Sequence, residues 1–328
     1  MERVAAAIEH VLTSGGGQLA STLLAPGSTF SIAALACSLA VFVMLAAPPG
    51  RKRRLRTRSL RRALFPDRLW RSASGRADIA FVIFGVLFSG LAIGWAVFSA
   101  DQVRALAGGW LGVAGPGRVP GWAGTAIATA ALFLAYEFAY WSDHWLMHNV
   151  PFLWRFHKVH HQAESLSLAT NFRVHPLETI GFANIQALYL GTTGAVLERT
   201  LGAGVSAWTL GGTNLLILLF AVTLNHLQHS HLWLGFGPRW GKWLLGPAPH
   251  QIHHSANPAH FGCNLGSSLT LFDRLFGTFR MPAARREALR FGVDDGQTAP
   301  HGLRAALFAP FLPGPRPEPA LPATAARS

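Results

Sequence analysis

The sequence predicts an all-α integral membrane protein of about five transmembrane helices, with a cytoplasmic helical cap that holds a histidine-rich dimetal site. Three observations predict it. Half of the 328 residues are hydrophobic and only 13% are charged, a balance unusual for a soluble globular domain. The apolar residues gather into stretches of about twenty, the length that crosses a bilayer as a helix. Thirteen of the 15 histidines fall between His144 and His260, and most of them recur at helical spacing.

Taken in order, residues 1–28 form an N-terminal segment. It carries Glu2, Glu9 and a Gly run but no compact apolar core after a basic start, so no cleavable signal peptide is expected. Thr29–Ala47 is nearly uncharged and stops at Pro48-Pro49-Gly50. At ~1.5 Å per residue it is long enough for a bilayer core of roughly 30 Å. The basic run Arg51–Arg62 follows at once, inside a predicted loop over residues 51–76. Positive charge beside a span stays in the cytoplasm, which leaves the amino terminus outside and sets the run against anionic lipid heads or in solvent. This run holds much of the formal net charge of +13. Basic residues are not interleaved with aromatics on a soluble surface, so nucleic acid is not an expected partner.

Ile79–Phe98 is the second span. Asp101–Gly121, with Pro116 and Pro120, reads as an external loop with one short interfacial helix at Val103–Val113, closing an N-terminal membrane region over residues 29–121. Trp122–Trp141 is the third span, with Glu137 inside it and a girdle of Tyr136, Phe138, Tyr140 and Trp141 near its inner end. His144 and His148 therefore emerge on the cytoplasmic side. Leu177–Leu197 and Trp208–Leu224 form an in-and-out hairpin that returns His226 and His229 to the same face. From His231 to Gly277 the chain is too polar and too rich in Gly and Pro to span, and it forms the cap. Residues 281–328 turn basic and then Pro/Ala-rich, a tail without a packed core.

The chemistry lies in the histidines. His144 and His148 are four apart and share a helix face; His157, His160 and His161 follow the pattern H-x-x-H-H, and His250, His253 and His254 repeat it. His226 and His229 lie between these boxes. Imidazole suits zinc, copper, iron and nickel. Nine or ten imidazoles exceed what one ion can use, and the count suits two ions with four or five each. Only Cys37 and Cys263 are present, so such a site is built from histidine. Soluble di-iron bundles use Glu-x-x-His, which does not occur here. Glu137, Asp143 and Glu164 are placed to orient imidazoles by accepting their second N–H. Glu137 stands out because an ionisable group within an apolar span is costly. His175, just before Pro176, reads as a ligand, a group behind the ligands or a helix cap. His10, His260 and His301 read as solvated or structural.

The string Asp143-His144-x-x-x-His148, the run Pro151–His161 and Phe172-Arg173-Val174-His175-Pro176 resemble the fatty acid hydroxylase/sterol desaturase superfamily. His250-Gln251-Ile252-His253-His254-Ser255, Asn264 and Asp273–Phe279 are similar to the same family's closing signature. The resemblance covers about Tyr136–Phe279, within a catalytic region over residues 122–280. His231 stands where the family often has Asn, and no Tyr precedes the Gly of Asn264-Leu265-Gly266. The resemblance implies a non-haem di-iron monooxygenase or desaturase that uses two Fe ions and O2 on a sterol, fatty acyl or related lipid drawn from the bilayer. Its implied ligands and catalytic residues are His144, His148, His157, His160, His161, His229, His250, His253 and His254, with His226 joining as a ligand and Asn264 behind them. No G-x-G-x-x-G loop, haem motif or Cys set for an iron–sulfur cluster is present, so an external donor is expected, such as a ferredoxin with its reductase. The expected location is multi-pass in a bacterial inner membrane, with the metal site facing the cytoplasm. Two other readings compete: a zinc-dependent membrane lipid hydrolase, and a metal-binding transport protein whose ligands would have to line a path through the bilayer.

Overall fold

The structure, a computed structural model, describes residues 17, 20–46, 67–94, 97–112, 115–117, 119, 121–295 and 299–312. The basic run Arg51–Arg62, the Pro/Ala-rich tail after Leu312 and most of the N-terminal segment lie outside the described residues.

The first apolar stretch forms α1, Ile32–Ala46. A short helix α2, Asp67–Arg71, leads into α3, Ala73–Gly94. That start is six residues earlier than the predicted span, and two interactions explain it. Ser72 Oγ accepts from the Gly75 amide at 2.9 Å, a serine cap at the helix entrance. Asp78, which would be costly in a membrane, instead pairs inside the protein with Arg173 at 3.1 Å, both side chains fully buried. Next comes α4, Ala100–Leu111, beginning at a reciprocal cap in which Gln102 N donates to Ser99 Oγ at 3.2 Å and Ser99 N to Gln102 Oε1 at 2.8 Å. It overlaps the short helix expected at Val103–Val113 but starts three residues earlier.

Two helices carry the architecture. α5, Gly121–Asn149, and the later α7, Pro176–Leu201, are 29 and 26 residues long and apolar enough to cross a membrane. At ~1.5 Å per residue both exceed a core of roughly 30 Å. They pack against each other, and α4 lies on α7, where Arg104 bonds Glu198 at 2.7 Å. Between them α6, Pro151–His161, turns back from the end of α5, with Pro151 in its first turn where a missing N–H is harmless. The carboxyl end of α5 and the amino end of α7 therefore flank α6.

The predicted span Trp208–Leu224 is not one helix. A two-strand hairpin, β1 Thr209–Leu210 and β2 Thr213–Asn214, precedes α8, Leu215–Thr223. Gly211 and Gly212 both adopt positive φ, 56° and 84°, the conformation a tight hairpin turn needs. Asn214 then caps the helix by accepting from Leu216 N at 2.9 Å. With nine residues, α8 reaches only about 14 Å. It packs on α5 through Phe133 and Phe220, whose rings stack 5.1 Å apart.

From His231 onward the chain forms short helices: α9 Gly237–Trp240, α10 Pro247–His253 and α11 Leu271–Leu275. α12, Leu303–Phe308, is followed by a 3₁₀ turn, Ala309–Phe311, at the end of the described chain. Its Ala306 joins Phe81 of α3 and Val159 of α6 in a small buried cluster that backs the histidines of α6.

Candidate metal centre

α5 ends with His144 and His148 one turn apart, so both rings leave the same face. α6 supplies His157, His160 and His161; the turn after the 3₁₀ segment Asn225–Leu227 supplies His229; α10 and its cap supply His250, His253 and His254. These nine rings meet as two groups. His144, His148, His157, His161 and His253 form one; His160, His229, His250 and His254 form the other, and within each group the potential ligand nitrogens lie within 4.8 Å of one another. The two H-x-x-H-H boxes are used in opposite senses. In α6 the first and last histidines join the five-histidine group and the middle one the four-histidine group, while in α10 the assignment reverses.

The spacing of the nitrogens fits metal ions. In the four-histidine group, His229 Nε2 lies 2.9 Å from His250, 3.0 Å from His160 and 3.1 Å from His254, and His250 to His254 is 3.2 Å. In the other group, His157 Nε2 lies 3.1 Å from both His144 and His161. Metal–nitrogen bonds of about 2.0–2.1 Å put neighbouring donors about 3.0 Å apart at right angles and about 3.4 Å apart in a tetrahedron. The shortest observed separations fall in the range that donors around one ion show. Protonation state agrees. Burial first, and then the imidazoles around them, hold His160, His161, His250 and His254 well below the ordinary histidine value. The same causes bring His229 to about 3, and burial brings His253 to about 3 despite a carbonyl partner that works the other way. Neutral imidazole is the form that ligates.

The second ring nitrogens reveal what aims the rings. Nδ1–H of His144 donates to the Leu265 carbonyl at 2.8 Å, and that of His253 to the Cys263 carbonyl at 2.9 Å. Asn264, between these two acceptors, is the only non-glycine residue with positive φ (55°) among the described residues. Its side chain locks the turn by donating to the Pro249 and Arg280 carbonyls at 3.0 Å each and accepting from Arg280 N at 2.8 Å. Asp273 accepts from the amides of Leu265 at 2.8 Å and Gly266 at 2.9 Å, and a Cβ on Gly266 would come 2.5 Å from the Leu269 carbonyl. His160 donates to the Arg173 carbonyl at 3.2 Å. The Arg173 guanidinium is fixed in turn by the Val159 carbonyl at 2.8 Å and by Asp78.

Several residues sit elsewhere than the sequence suggests. Glu137 touches no imidazole: its carboxylate accepts from Ser268 N at 3.0 Å and Leu269 N at 2.8 Å, bracing the loop that reaches His144. Glu164 faces His301 at 3.1 Å on the other side of α6. His175 is the cap of α7, accepting from Leu177 N at 3.2 Å and donating to the Leu307 carbonyl at 3.0 Å, as its position before Pro176 permits. His226 belongs to neither group; its ring packs 5.5 Å from Phe30. The 3₁₀ turn ends before His229, so the three-residue spacing no longer keeps the two rings together. Asp143 lies against a cavity and bonds no histidine among the described residues. The carboxylate that does orient a ring is Glu178, absent from the sequence-based set, which accepts from His157 Nδ1–H at 2.7 Å. Its signal was an acidic residue in the first turn of a helix that follows Arg173-Val174-His175-Pro176.

A cavity of about 570 Å³ adjoins both groups. His144 and His157 of one group and His160 and His229 of the other line it, together with Phe30, Phe84, Phe172, Phe182 and Ile217. It extends along α5 from His144 to Tyr136, eight residues or about 12 Å, and from Asn225 of the 3₁₀ segment to Ile217 of α8.

Residues 129–278 match the family described as fatty acid hydroxylase. The chain is 33% identical to human cholesterol 25-hydroxylase over 44% of this chain and 47% of that protein. It is 30% identical to the ornithine lipid hydroxylase OlsE of Rhizobium tropici, over 53% of this chain and 47% of that one. It is 27% identical to alkylglycerol monooxygenase of Xenopus tropicalis, over 49% and 32% respectively. The chain thus spans half or less of the length of these curated relatives. No solved structure matches it. All nine clustered histidines lie inside the matched residues, so the region that is similar to fatty acid hydroxylases is the region that holds the candidate metal centre.

Proposed function

We propose that this chain is an O2-dependent, non-haem di-iron oxidoreductase of the membrane that hydroxylates an unactivated C–H bond of a lipid, or removes a second hydrogen to leave an alkene. One observation carries the reading. Two groups of imidazoles, each with Nε2 atoms about 3 Å apart, share the wall of a largely apolar cavity that runs along a helix long enough to span a bilayer. The relatives' names, which specify alkylglycerol, cholesterol and ornithine lipid, support a lipid substrate.

When bound, two reduced iron ions together with O2 supply the oxidising power such a bond requires. In a hydroxylation one oxygen atom enters the C–H bond and the other leaves as water, with two electrons and two protons from outside. The protein's residues provide the rest. Nine histidines offer lone pairs, five in one group and four in the other. Glu178 and the carbonyls of Leu265, Cys263 and Arg173 fix the orientation of four of those rings. Phe30, Phe172 and Phe182 keep water from the carbon that lies against the histidines. Cys37 and Cys263 cannot build an iron–sulfur cluster, so a separate acidic donor such as a ferredoxin, with its reductase, delivers electrons. Arg239 on α9, Lys242 in the turn after it and Arg274 on α11 suit such a partner. Turnover with a ferredoxin that is indifferent to ionic strength counts against that docking.

Metal analysis of anaerobically purified protein, with O2 uptake on lipid addition, tests the reaction. About two irons per chain and lipid-dependent uptake are expected. Activity with zinc alone would instead establish the hydrolase reading. Placement in a bacterial inner membrane with the histidines toward the cytoplasm predicts protease access to residues 231–277 in inside-out vesicles only.

A further inference from the structure

His226 lines the cavity without belonging to either histidine group. Its side chain is only 8% exposed, yet it makes no hydrogen bond among the described residues, and neither ring nitrogen is sealed from the cavity. Asn171 repeats the pattern, with a carboxamide that lines the same cavity, has no partner among the described residues and is not sealed. The two share one corner. Asn171 lies in the 3₁₀ segment Leu168–Phe172, which packs on the 3₁₀ segment of His226, and Phe30 touches both, 5.0 Å from Phe172 and 5.5 Å from His226. The neighbouring amides are engaged within the fold. Asn225 donates to Ser267 Oγ at 2.9 Å and accepts from Ser268 Oγ at 3.0 Å, and Gln228 donates to the Leu245 and Ser267 carbonyls. Buried polar groups are ordinarily paired. A fold that pairs Asn225 and Gln228 and leaves His226 and Asn171 open to the cavity has kept these two for a molecule that enters it.

The ligand's chemistry follows from the absence of charge. Burial alone brings His226 down to about 4, with no ionised neighbour among the causes, so near pH 7 the ring is neutral and offers one N–H donor and one bare nitrogen. Asn171 likewise offers an amide donor and a carbonyl acceptor. A carboxylate, phosphate or ammonium brought to this corner would lose its water and meet no opposite charge. A hydroxyl donates and accepts at once and so uses both side chains. Around the pair the wall is Phe30, Phe84, Phe172 and Ile217, suited to hydrocarbon. A few convergent polar groups in an apolar pocket are what fix a ligand's orientation.

We propose that His226 and Asn171 are specificity residues that hold a hydroxyl group of the lipid substrate between uncharged side chains, and so set which carbon of the chain lies against the histidines. This assignment rests on the oxygenase reading and narrows it. It favours lipids with a free hydroxyl over those whose only polar group is ionised, and it gives His226 a role other than metal ligation.

The test uses the iron-loaded full chain in lipid nanodiscs and three single-chain probes: hexadecanol, heptadecane, in which a methyl replaces the hydroxyl, and hexadecylamine. Equilibrium binding is measured without O2 by displacement of radiolabelled hexadecanol, with each probe expressed as its mole fraction in the nanodisc lipid. Hexadecanol is expected to bind about tenfold or more tighter than either of the others. His226→Phe and Asn171→Leu are each expected to shrink that gap to about threefold or less while iron stays at about two per chain. His226→Gln, which keeps a donor and an acceptor, is expected to retain most of the gap. Equal binding of the three probes to the unaltered protein, or tightest binding of the amine, overturns the assignment whether or not a variant folds. Survival of the full gap in both His226→Phe and Asn171→Leu, or loss of one iron from folded His226→Phe, overturns it as well. Absence of O2 uptake with hexadecanol overturns the oxygenase reading, and the binding ratios remain readable in that case.

Discussion

Glu178 Oε1 accepts a 2.7 Å hydrogen bond from Nδ1–H of His157, tying the first turn of α7 to the helix that carries three of the nine clustered histidines. A carboxylate behind an imidazole fixes the ring and raises its basicity. Glu178→Ala is therefore expected to weaken metal binding at the five-histidine group by about 10–100-fold, with Glu178→Gln milder because the amide oxygen still accepts. Competition against a chelator of known affinity reads this directly. Unchanged affinity in the alanine variant would remove Glu178 from that role.

The two groups are not oriented equally. Three rings of the five-histidine group donate to Glu178, Leu265 or Cys263, whereas in the other group only His160 has such a partner, and Nδ1 of His229, His250 and His254 has none. Metal is expected to leave in two phases when the loaded protein meets a chelator, the four-histidine group emptying first. A single phase for both ions contradicts this.

Arg173 and Asp78 form an ion pair in which both side chains are fully buried, and Arg173 also presents the carbonyl that His160 uses. Removing one partner of such a pair costs about 3–5 kcal/mol because the other charge stays buried. Asp78→Ala is expected to lower Tm and to cost metal at the four-histidine group, while the double variant Asp78→Ala with Arg173→Met recovers part of the Tm. Full stability of the single variant would show that the pair is not what holds this corner.

Acid is expected to destabilise the metal-free protein well before the carboxylates titrate. His229 and His253 sit at about 3 in the fold against about 6.5 in an unfolded chain. Above about pH 6.5 neither state binds these protons, so they leave stability unchanged; between about pH 6.5 and about pH 3 the unfolded chain takes up protons that the fold refuses, and stability falls as pH falls. Thermal melts of metal-free protein in detergent, taken from about pH 8 to about pH 4, check the slope. A Tm that is flat across this range rules out neutral burial of these rings.

Much of the site can be read from the chain because an imidazole at i, i+3 or i+4 declares its helix face, and nine of the ten histidines proposed as ligands do come together. Which ring goes to which group is not readable, since it depends on the rotation of α6 against α10. Nor are the acceptors behind His144, His253 and His160. They are main-chain carbonyls, which every residue has, and only the left-handed turn at Asn264 selects two of them. Glu178 escaped because it is distant in sequence from the box it serves. In the fold, α5 and α7 announce themselves by apolar length. Trp208–Leu224 looks equally apolar, and the Gly211-Gly212 pair that breaks it counts for little in hydropathy yet decides the backbone.

The opposite use of the two H-x-x-H-H boxes has a consequence for how the protein can change. Each box sends rings both ways, so one extra residue in α6 or α10 would rotate donors out of two coordination spheres in a single event. Neither group can be altered by editing a segment that belongs to it alone. A change of length in either helix therefore reaches both groups at once, whereas a substitution at Phe30 or Ile217 of the cavity wall alters neither helix.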